Sequence, residues 1–368
     1  MAKDKKEKTT EKQTKEIDQI QEYLNANEAF HFNSAPPVDY TVSSGSLILD
    51  IELGGGLKPG CSRFIGAREA GKTSCALLVG KLFQETVPNS MLIYIKAEGR
   101  LSDNIKERSG LDFSPEKFRI IKSNVFEFII NLMRDLVKNN EYNKRYMFII
   151  DSLDALQTKA QAELTVEENL QPGVIAKMSS TMFKSISLAF SELGHCGIII
   201  SQERSVIDIN PYTPKAQRLG NSGGGNAAQH FIDVCLNFKA KNKSSLIYEG
   251  DDNKSKILGH NCVVEFLKTT NEKTFTLCSF PIKYGQKGGS VWKEREVVSL
   301  LLMFEHAKPL KKGFILDENS SLIKEIKEKF PEKYQSEFTF GKNFYQYFED
   351  NKDISDYLWN RFKEVIIK

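Results

Sequence analysis

The stretch GAREAGKTS, residues 66–74, constrains this chain more than any other. Two glycines five positions apart are followed by Lys72 and Thr73, which fits the pattern G-x-x-x-x-G-K-[ST]. The apolar stretch CSRFI precedes the pattern and TSCALLVGKLFQ overlaps its end, so it predicts a turn between a strand and a helix. The backbone N–H groups of such a turn and the Lys72 ammonium attract phosphate. We therefore predict a nucleotide site, and we call residues 66–74 the glycine loop.

A metal site is predicted beside this loop. The Thr73 hydroxyl is a ligand for Mg²⁺, and Asp151, which follows the apolar run MFII, is predicted to hold the same ion through water. The alternative is that Asp151 only caps a turn. The predicted cofactors are ATP and Mg²⁺, and the predicted nucleotide-binding residues are Gly66, Ala67, Arg68, Glu69, Ala70, Gly71, Lys72, Thr73 and Ser74.

Two more polar residues follow apolar runs. Glu98 ends LIYIKAE and Gln202 ends GIIISQ. A carboxylate can orient the water that attacks ATP, and an amide can contact the γ-phosphate. The ordinary alternatives are a surface ion pair for Glu98 and a structural hydrogen bond for Gln202. Ligands of parallel sheets bind at the carboxyl ends of strands, where both residues are expected.

Apolar runs alternate with helical patterns, which predicts an α/β fold with a mostly parallel central sheet covered on both faces. A helix is predicted over roughly 174–194. CVVEFLKTT, TFTLCSFPIKY and DVCLNFKA read as strands of antiparallel style. The predicted division is a basic tail with a short helix (1–35), an ATPase core (36–290) and a small C-terminal domain of mainly helical character (291–368).

The N-terminal segment lacks the apolar core of a signal peptide. Its first residues are rich in lysine, and Ile17, Ile20 and Leu24 then fall on one helical face, either packed on this chain or docked on another subunit. No run of about 18 apolar residues occurs, so we expect no membrane span and a cytoplasmic protein. The six cysteines form no C-x-x-C pair and are predicted to be buried thiols in a reducing compartment. Lys and Arg number 51 against 48 Asp and Glu, which says little about partners.

The glycine-dense stretch RLGNSGGGNAAQ, residues 218–229, follows a long polar segment. It is either a solvated flexible loop or a segment that becomes ordered on nucleic acid, with its glycine amides and Arg218 near phosphates. Composition alone leaves both interpretations open.

Several of these stretches together resemble RecA-type recombinases. SSGSLILDIELGGGLKPG followed by the glycine loop resembles the opening of that family, and YIKAEG, FIIDSLDALQTKAQAE, IIISQERS and GGGNAAQHF follow in the family's order. The resemblance covers about residues 40–290. GKNFYQYFEDNKDISDYLWNRFKEVI resembles the family's small C-terminal α/β domain. The chain is also similar to the UvsX-type relatives of tailed phages, which would place it in a host cytoplasm.

The resemblance implies a helical filament on single-stranded DNA, with ATP between subunits and pairing with homologous duplex DNA. It implies mediator and single-strand-binding proteins as partners. It makes Glu98 the catalytic glutamate, Gln202 the γ-phosphate sensor and Lys268 a lysine that reaches a neighbour's nucleotide. A surface lysine is the alternative for Lys268. Segments 157–174 and 203–226 resemble the two DNA-binding loops, and the implied DNA contacts are Arg204, Lys215, Arg218, Gly223, Gly224, Gly225 and Asn226.

The chain departs from the family pattern at several positions. Lys96 stands where the family has the Asp of its D-A-E, and Ile105 stands where bacterial members stack an aromatic residue on adenine. Thr-Thr follows Lys268 where a second lysine is usual. Where the bacterial loop has a Glu and two serines, this chain has Arg68, Glu69 and Ala70.

Two rival functions share the same motifs. A hexameric RecA-fold motor, such as a helicase, would form closed rings and translocate on DNA. A RecA-fold binding module would bind ATP without DNA-stimulated hydrolysis. The resemblance favours the recombinase over both.

Overall fold

A computed structural model describes residues 19–38, 40–99, 107–163, 174–203, 230–249, 255–339 and 343–367. Residues 19–26 are helical, and 3₁₀ turns cover Glu28–Phe30, Leu153–Ala155 and Lys243–Ser245. The strands are β1 (Gly60–Gly66), β2 (Ser90–Lys96), β3 (Phe118–Lys122), β4 (Arg145–Asp151), β5 (Cys196–Gln202), β6 (Val234–Phe238), β7 (Leu246–Tyr248), β8 (Ile257–Lys268), β9 (Leu277–Lys283), β10 (Ala307–Leu310), β11 (Gly313–Leu316) and β12 (Glu337–Thr339). The further helices are α1 (Leu47–Leu53), α2 (Lys72–Thr86), α3 (Phe126–Lys138), α4 (Lys159–Glu163), α5 (Val174–Leu193), α6 (Lys293–Met303), α7 (Ser321–Lys329), α8 (Asn343–Asp350) and α9 (Lys352–Ile366).

The central sheet has the strand order β3-β2-β4-β5-β1-β6-β8-β7, with β9 paired to β8. From β3 to β6 every neighbouring pair is parallel, whereas β7, β8 and β9 pair antiparallel. The prediction of antiparallel style is confirmed for β8 and β9. It is wrong for β6, which runs parallel to β1 and is antiparallel only to β8. All five β6 residues are buried, as is typical of a parallel strand, and no local pattern reveals its partner.

β3 is a strand that the apolar pattern does not reveal. It lies at the edge of the sheet beside β2, and of its five residues only Phe118 is buried. An edge strand of this length carries too little apolar alternation to stand out in the sequence.

Both faces of the sheet are buried because successive residues of a strand point to opposite sides. Along β2, Leu92 and Tyr94 belong to one apolar cluster, and Ile93 and Ile95 belong to the other. Helix α2 contributes to the first cluster, whereas α3 and α5 contribute to the second. The expected α/β core with helices on both faces is confirmed. All six cysteines are buried, as predicted.

The C-terminal part combines four helices with a three-stranded antiparallel sheet, β10-β11-β12. Its apolar residues, such as Phe314 and Leu358, join the cluster that covers one face of the central sheet. The sequence pattern predicted a mainly helical part and did not reveal this small sheet. The presence of both helices and strands agrees with the α/β domain that the family resemblance implies. The division of the chain at residues 35 and 290 stays a prediction. Among the described residues, no helix is both long and apolar enough to cross a membrane.

A buried carboxyl ties the C-terminal part to the start of the core. Helix α1 begins after Ser46, whose hydroxyl accepts a hydrogen bond from the Leu49 N–H. Glu296, from α6, accepts from the Ser46 hydroxyl at 2.5 Å and from the Ile48 N–H at 2.9 Å. Burial raises the pKa of Glu296 to about 8, although these hydrogen bonds lower it. The opening motif SSGSLILD thus folds into a helix start that a residue 250 positions away completes.

Candidate functional site

The glycine loop joins β1 to α2, as the pattern predicts. β1 ends at Gly66 and α2 begins at Lys72. At Gly66 the backbone has φ 144°, and a Cβ there would lie 2.1 Å from the carbonyl oxygen of Phe238. Gly71 has φ 102° and forms the N-cap of α2. Only glycine suits position 66, because any side chain would collide with the backbone of β6.

Lys72 is held inside the loop. Its side chain is only 8% exposed, and its Nζ donates to the carbonyl oxygens of Gly66 at 2.8 Å and Ala67 at 2.5 Å. Burial lowers the pKa of Lys72, and the negative charges of Asp151 and Glu98 oppose that fall. The Lys72 ammonium therefore donates to neutral carbonyls and keeps its positive charge available for an anion.

Thr73 and Asp151 meet directly. The Thr73 hydroxyl donates to Asp151 Oδ2 at 2.9 Å, so the two residues predicted to serve one metal ion lie side by side. Tyr94 donates to the same oxygen at 2.7 Å. Burial, with the charge of Asp151, raises the pKa of Tyr94 above its ordinary value, so it remains a donor. Tyr94 is not among the site residues predicted from the sequence, although its position two residues before the end of β2 could have indicated it.

Glu98 and Gln202 lie at the same edge of the sheet. Gly66 pairs with Gln202 and Lys96 pairs with Asp151, which aligns the carboxyl ends of four strands. The Glu98 N–H donates to the Asp151 carbonyl at 3.2 Å, and Gln202 Nε2 lies 3.4 Å from Glu98 Oε1. The Glu98 side chain is exposed, so water can reach its carboxylate. Residues 98, 151 and 202, chosen from strand ends alone, are thus brought together.

A cavity of about 360 Å³ opens on the glycine loop. Its walls include residues 69–75 of the loop and helix together with groups from and beside β8 and β9 that sequence reasoning missed, among them Lys241, His260, Lys283 and Tyr284. Lys241 Nζ lies 5.6 Å from the centre of the Tyr284 ring. Burial and the charge of Lys241 lower the pKa of His260 to about 4, so this imidazole is neutral at pH 7.

The site therefore has two parts that meet at the start of α2. Lys72 and Thr73 line the cavity, whereas Glu98, Asp151 and Gln202 are not among its described lining residues. Thr73 contacts Asp151, and the charges of Asp151 and Glu98 act on Lys72. A phosphate chain that binds at the loop would have cavity on one side and the cluster of acidic and amide groups on the other.

Lys268 ends β8, as predicted, but lies away from this cluster. Its Nζ donates to the His230 carbonyl at 3.0 Å. In the sheet, Lys268 pairs with Cys235, whereas the loop glycine Gly66 pairs with Phe238 three residues further along β6. Three strand residues span roughly 10 Å. Lys268 therefore points to the opposite end of the sheet from the glycine loop of its own chain.

Comparison with known proteins agrees with this architecture. The family model described as the RecA N-terminal domain matches residues 15–288. The chain belongs to the RecA family. Protein RecA of Rhizobium rhizogenes is 26% identical over 262 residues, which are 71% of this chain and 66% of that protein. Protein RecA of Brucella anthropi is 27% identical over 270 residues, 73% of this chain and 68% of that protein. The chain thus spans about two thirds of the length of these relatives.

A solved structure described as the RadB recombinase aligns with a TM-score of 0.45 and 18% identity, covering 66% of this chain and 96% of that chain.

The residues expected to contact DNA lie outside the described part of the chain. These are Arg204, Lys215, Arg218, Gly223, Gly224, Gly225 and Asn226, and the position of Ile105 also lies outside it. Of the first expected DNA-binding segment, residues 157–163 and 174 are described, and they include the whole of α4, which has no buried residue. The assignment of both segments to DNA binding stays a prediction.

Proposed function

We propose that this RecA-family protein is a DNA-dependent ATPase that forms filaments on single-stranded DNA and pairs that strand with homologous duplex DNA. The observation that carries the proposal is the meeting of Lys72, Thr73, Asp151, Glu98 and Gln202 at one edge of the parallel sheet. A phosphate-binding loop joined to a carboxylate and an amide has the parts that hydrolysis of a nucleoside triphosphate needs.

The residues fit ATP and Mg²⁺. Gly66 lets the loop leave β1 close to the backbone of β6, and the Lys72 ammonium donates to loop carbonyls rather than to a carboxylate. Thr73 and Asp151 offer a hydroxyl and a carboxylate less than 3 Å apart, which are hard oxygen ligands that Mg²⁺ prefers. When bound, the metal ion neutralises charge on the phosphate oxygens. The cavity beside the loop, with Tyr284 and His260 in its wall, would hold the nucleoside.

Glu98 and Gln202 have different roles in this proposal. The exposed Glu98 carboxylate orients and polarises the attacking water. The Gln202 Nε2 lies 3.4 Å from Glu98 Oε1, and its amide contacts the γ-phosphate, so this contact is made with ATP and lost with ADP. Lys72 holds phosphate charge in place.

Self-association is supported by the N-terminal segment and by Lys268. Three apolar side chains near the N-terminus are exposed: Ile20 at 58%, Tyr23 at 71% and Phe30 at 87%. A row of exposed apolar side chains is typical of a surface that docks on a partner, here a second copy of this chain. Lys268 lies at the far end of the sheet from its own glycine loop, which suits contact with a neighbour's nucleotide. The DNA-binding role of segments 157–174 and 203–226 completes the proposal.

Electron microscopy of the protein with single-stranded DNA and a non-hydrolysable ATP analogue tests the assembly. We expect helical filaments that require both ligands, whereas closed rings would favour the motor. A joint-molecule assay with homologous duplex DNA tests pairing. Absence of joint molecules from a protein that forms filaments would contradict the recombinase function.

The hydrolytic site is tested with Glu98→Gln. We expect nucleotide and DNA binding to persist while DNA-stimulated hydrolysis slows about 10²–10⁴-fold. Glu85→Gln is the matched control, because Glu85 is exposed and its only described ion pair is with Lys81 on α2. Hydrolysis at the wild-type rate by Glu98→Gln would refute the catalytic assignment.

A further inference from the structure

The β4–β5 ladder stops before the catalytic edge is reached. Its last pair is Ile150 with Ile199, after which the chain leaves β4 at Asp151 and enters the 3₁₀ turn Leu153–Ala155. β5 continues for three more residues to Gln202. The backbone of Gln202 thus lies beyond the reach of this ladder, and its N–H needs an acceptor from elsewhere.

Asp154 supplies that acceptor from within the 3₁₀ turn. Its Oδ2 accepts the Gln202 N–H at 2.6 Å, a short charge-assisted hydrogen bond. On the other side of β5, the adjacent Glu203 N–H donates to the Gly66 carbonyl at 3.3 Å. The end of β5 is therefore held from both neighbouring strand ends, by a carboxylate on one side and by the glycine loop on the other.

A buried cation supports this carboxylate. Arg63, in β1, is 1% exposed, and its Nε donates to the hydroxyl of Ser201 at 3.1 Å. Burial lowers the pKa of Arg63, and the negative charge of Asp154 opposes that fall. The Asp154 carboxylate therefore adds favourable charge near the Arg63 guanidinium, which contacts the end of β5 through the Ser201 hydroxyl.

We propose that Asp154 is a positioning residue for ATP hydrolysis, whose carboxylate anchors the backbone of Gln202 so that the Gln202 amide stays within reach of Glu98. This inference rests on the proposed function, because it gives Gln202 a role in hydrolysis. The hydrogen bond described for the Asp154 side chain is to the Gln202 N–H, whereas toward Lys72 of the glycine loop Asp154 contributes charge.

The hydrogen bond between Asp154 and Gln202 also bears on how DNA stimulates hydrolysis. Gln202 is followed at once by segment 203–226, which is expected to bind DNA, so both share one stretch of backbone. Asp154 thus holds the residue that immediately precedes this segment. Loss of the anchor should therefore reduce the stimulation of hydrolysis by DNA more than the binding of nucleotide.

The anchor is tested directly by hydrogen–deuterium exchange of the Gln202 amide in the full-length protein. Asp154→Ala should speed that exchange about ten- to hundredfold, the equivalent of one hydrogen bond to a charged group. Asp154→Asn keeps an acceptor oxygen and should restore most of the protection. Asp112→Ala is the matched control, because Asp112 accepts the Ser114 N–H at 2.9 Å far from this edge of the sheet. Equal exchange in Asp154→Ala and wild type would overturn the anchor.

The consequence for hydrolysis is tested by steady-state kinetics with single-stranded DNA. Asp154→Ala should lower kcat at least about tenfold with KM for ATP nearly unchanged, and Asp154→Asn should recover it. A rise in KM with unchanged kcat, or equal defects in both variants, would overturn a positioning role. If the wild-type protein does not hydrolyse ATP, the proposed function fails, while the exchange experiment still decides whether Asp154 anchors Gln202.

Discussion

Replacement of Glu296 by glutamine should change how the stability of this protein depends on pH. Glu296 is completely buried, its Oε1 accepts two hydrogen bonds from the start of α1, and its Oε2 has no hydrogen-bond partner among the described residues. The folded protein holds the Glu296 proton up to about pH 8, whereas an unfolded glutamate releases it near pH 4.5. Between these values the folded state binds more protons, so the free energy of unfolding falls as pH rises.

The magnitude follows from that difference in bound protons. One extra proton in the folded state changes the free energy of unfolding by about 1.4 kcal/mol per pH unit. Asp50, with a folded pKa of about 6, is mostly ionised at pH 6.5 and above. The buried histidines His195 and His260, with folded pKa values of about 4, oppose this decline, because their imidazoles bind protons near pH 6.5 only in the unfolded state. These groups titrate alike in wild type and Glu296→Gln, so the difference between the two proteins from pH 6.5 to 7.5 isolates Glu296. For a chain of this size, about 1 kcal/mol corresponds to a Tm change of roughly 1.3 °C.

The assay is thermal and urea unfolding of the wild type and Glu296→Gln at pH 6.5, 7.0 and 7.5. Glutamine keeps an acceptor for Ser46 but cannot titrate, so the Tm of the variant relative to wild type should rise by about 2 °C per pH unit. Glu294→Gln is the matched control, since Glu294 lies in the same first turn of α6 and is only partly buried. Parallel pH profiles for wild type and Glu296→Gln would refute the reasoning, because they would mean that Glu296 is ionised in the folded protein.

Three further predictions concern the site. Tyr94→Phe removes one of the two described donors to Asp151 Oδ2 and should raise the Mg²⁺ requirement for ATP binding about tenfold, measured by titration with Tyr146→Phe as control. An unchanged requirement would exclude a supporting role for Tyr94. Binding to single-stranded DNA should weaken steeply with salt, and Arg218→Ala should reduce DNA affinity and DNA-stimulated hydrolysis while basal hydrolysis persists; a flat salt response would contradict this. A mixture of Lys268→Ala and Lys72→Ala subunits, each nearly inactive alone, should partly recover DNA-stimulated hydrolysis, and normal activity of Lys268→Ala alone would exclude a contact between subunits.

The half of the site for which we propose catalysis could be predicted from local sequence. The glycine loop is a continuous nine-residue pattern, and Asp151 and Gln202 each end an apolar run. Parallel strands align their carboxyl ends at one edge of a sheet, so residues at strand ends become neighbours whatever the strand order is. The contact of Thr73 with Asp151 and the approach of Gln202 to Glu98 follow from that rule.

Only the tertiary structure decided which strands pair and what lies beside the loop. The parallel partner of β6, the cavity wall at Lys241 and His260, and the reach of Glu296 to Ser46 all join residues far apart in sequence. Such contacts depend on strand order and register, which hydrophobic periodicity does not encode, because alternation says which face a side chain occupies but not which strand lies beside it.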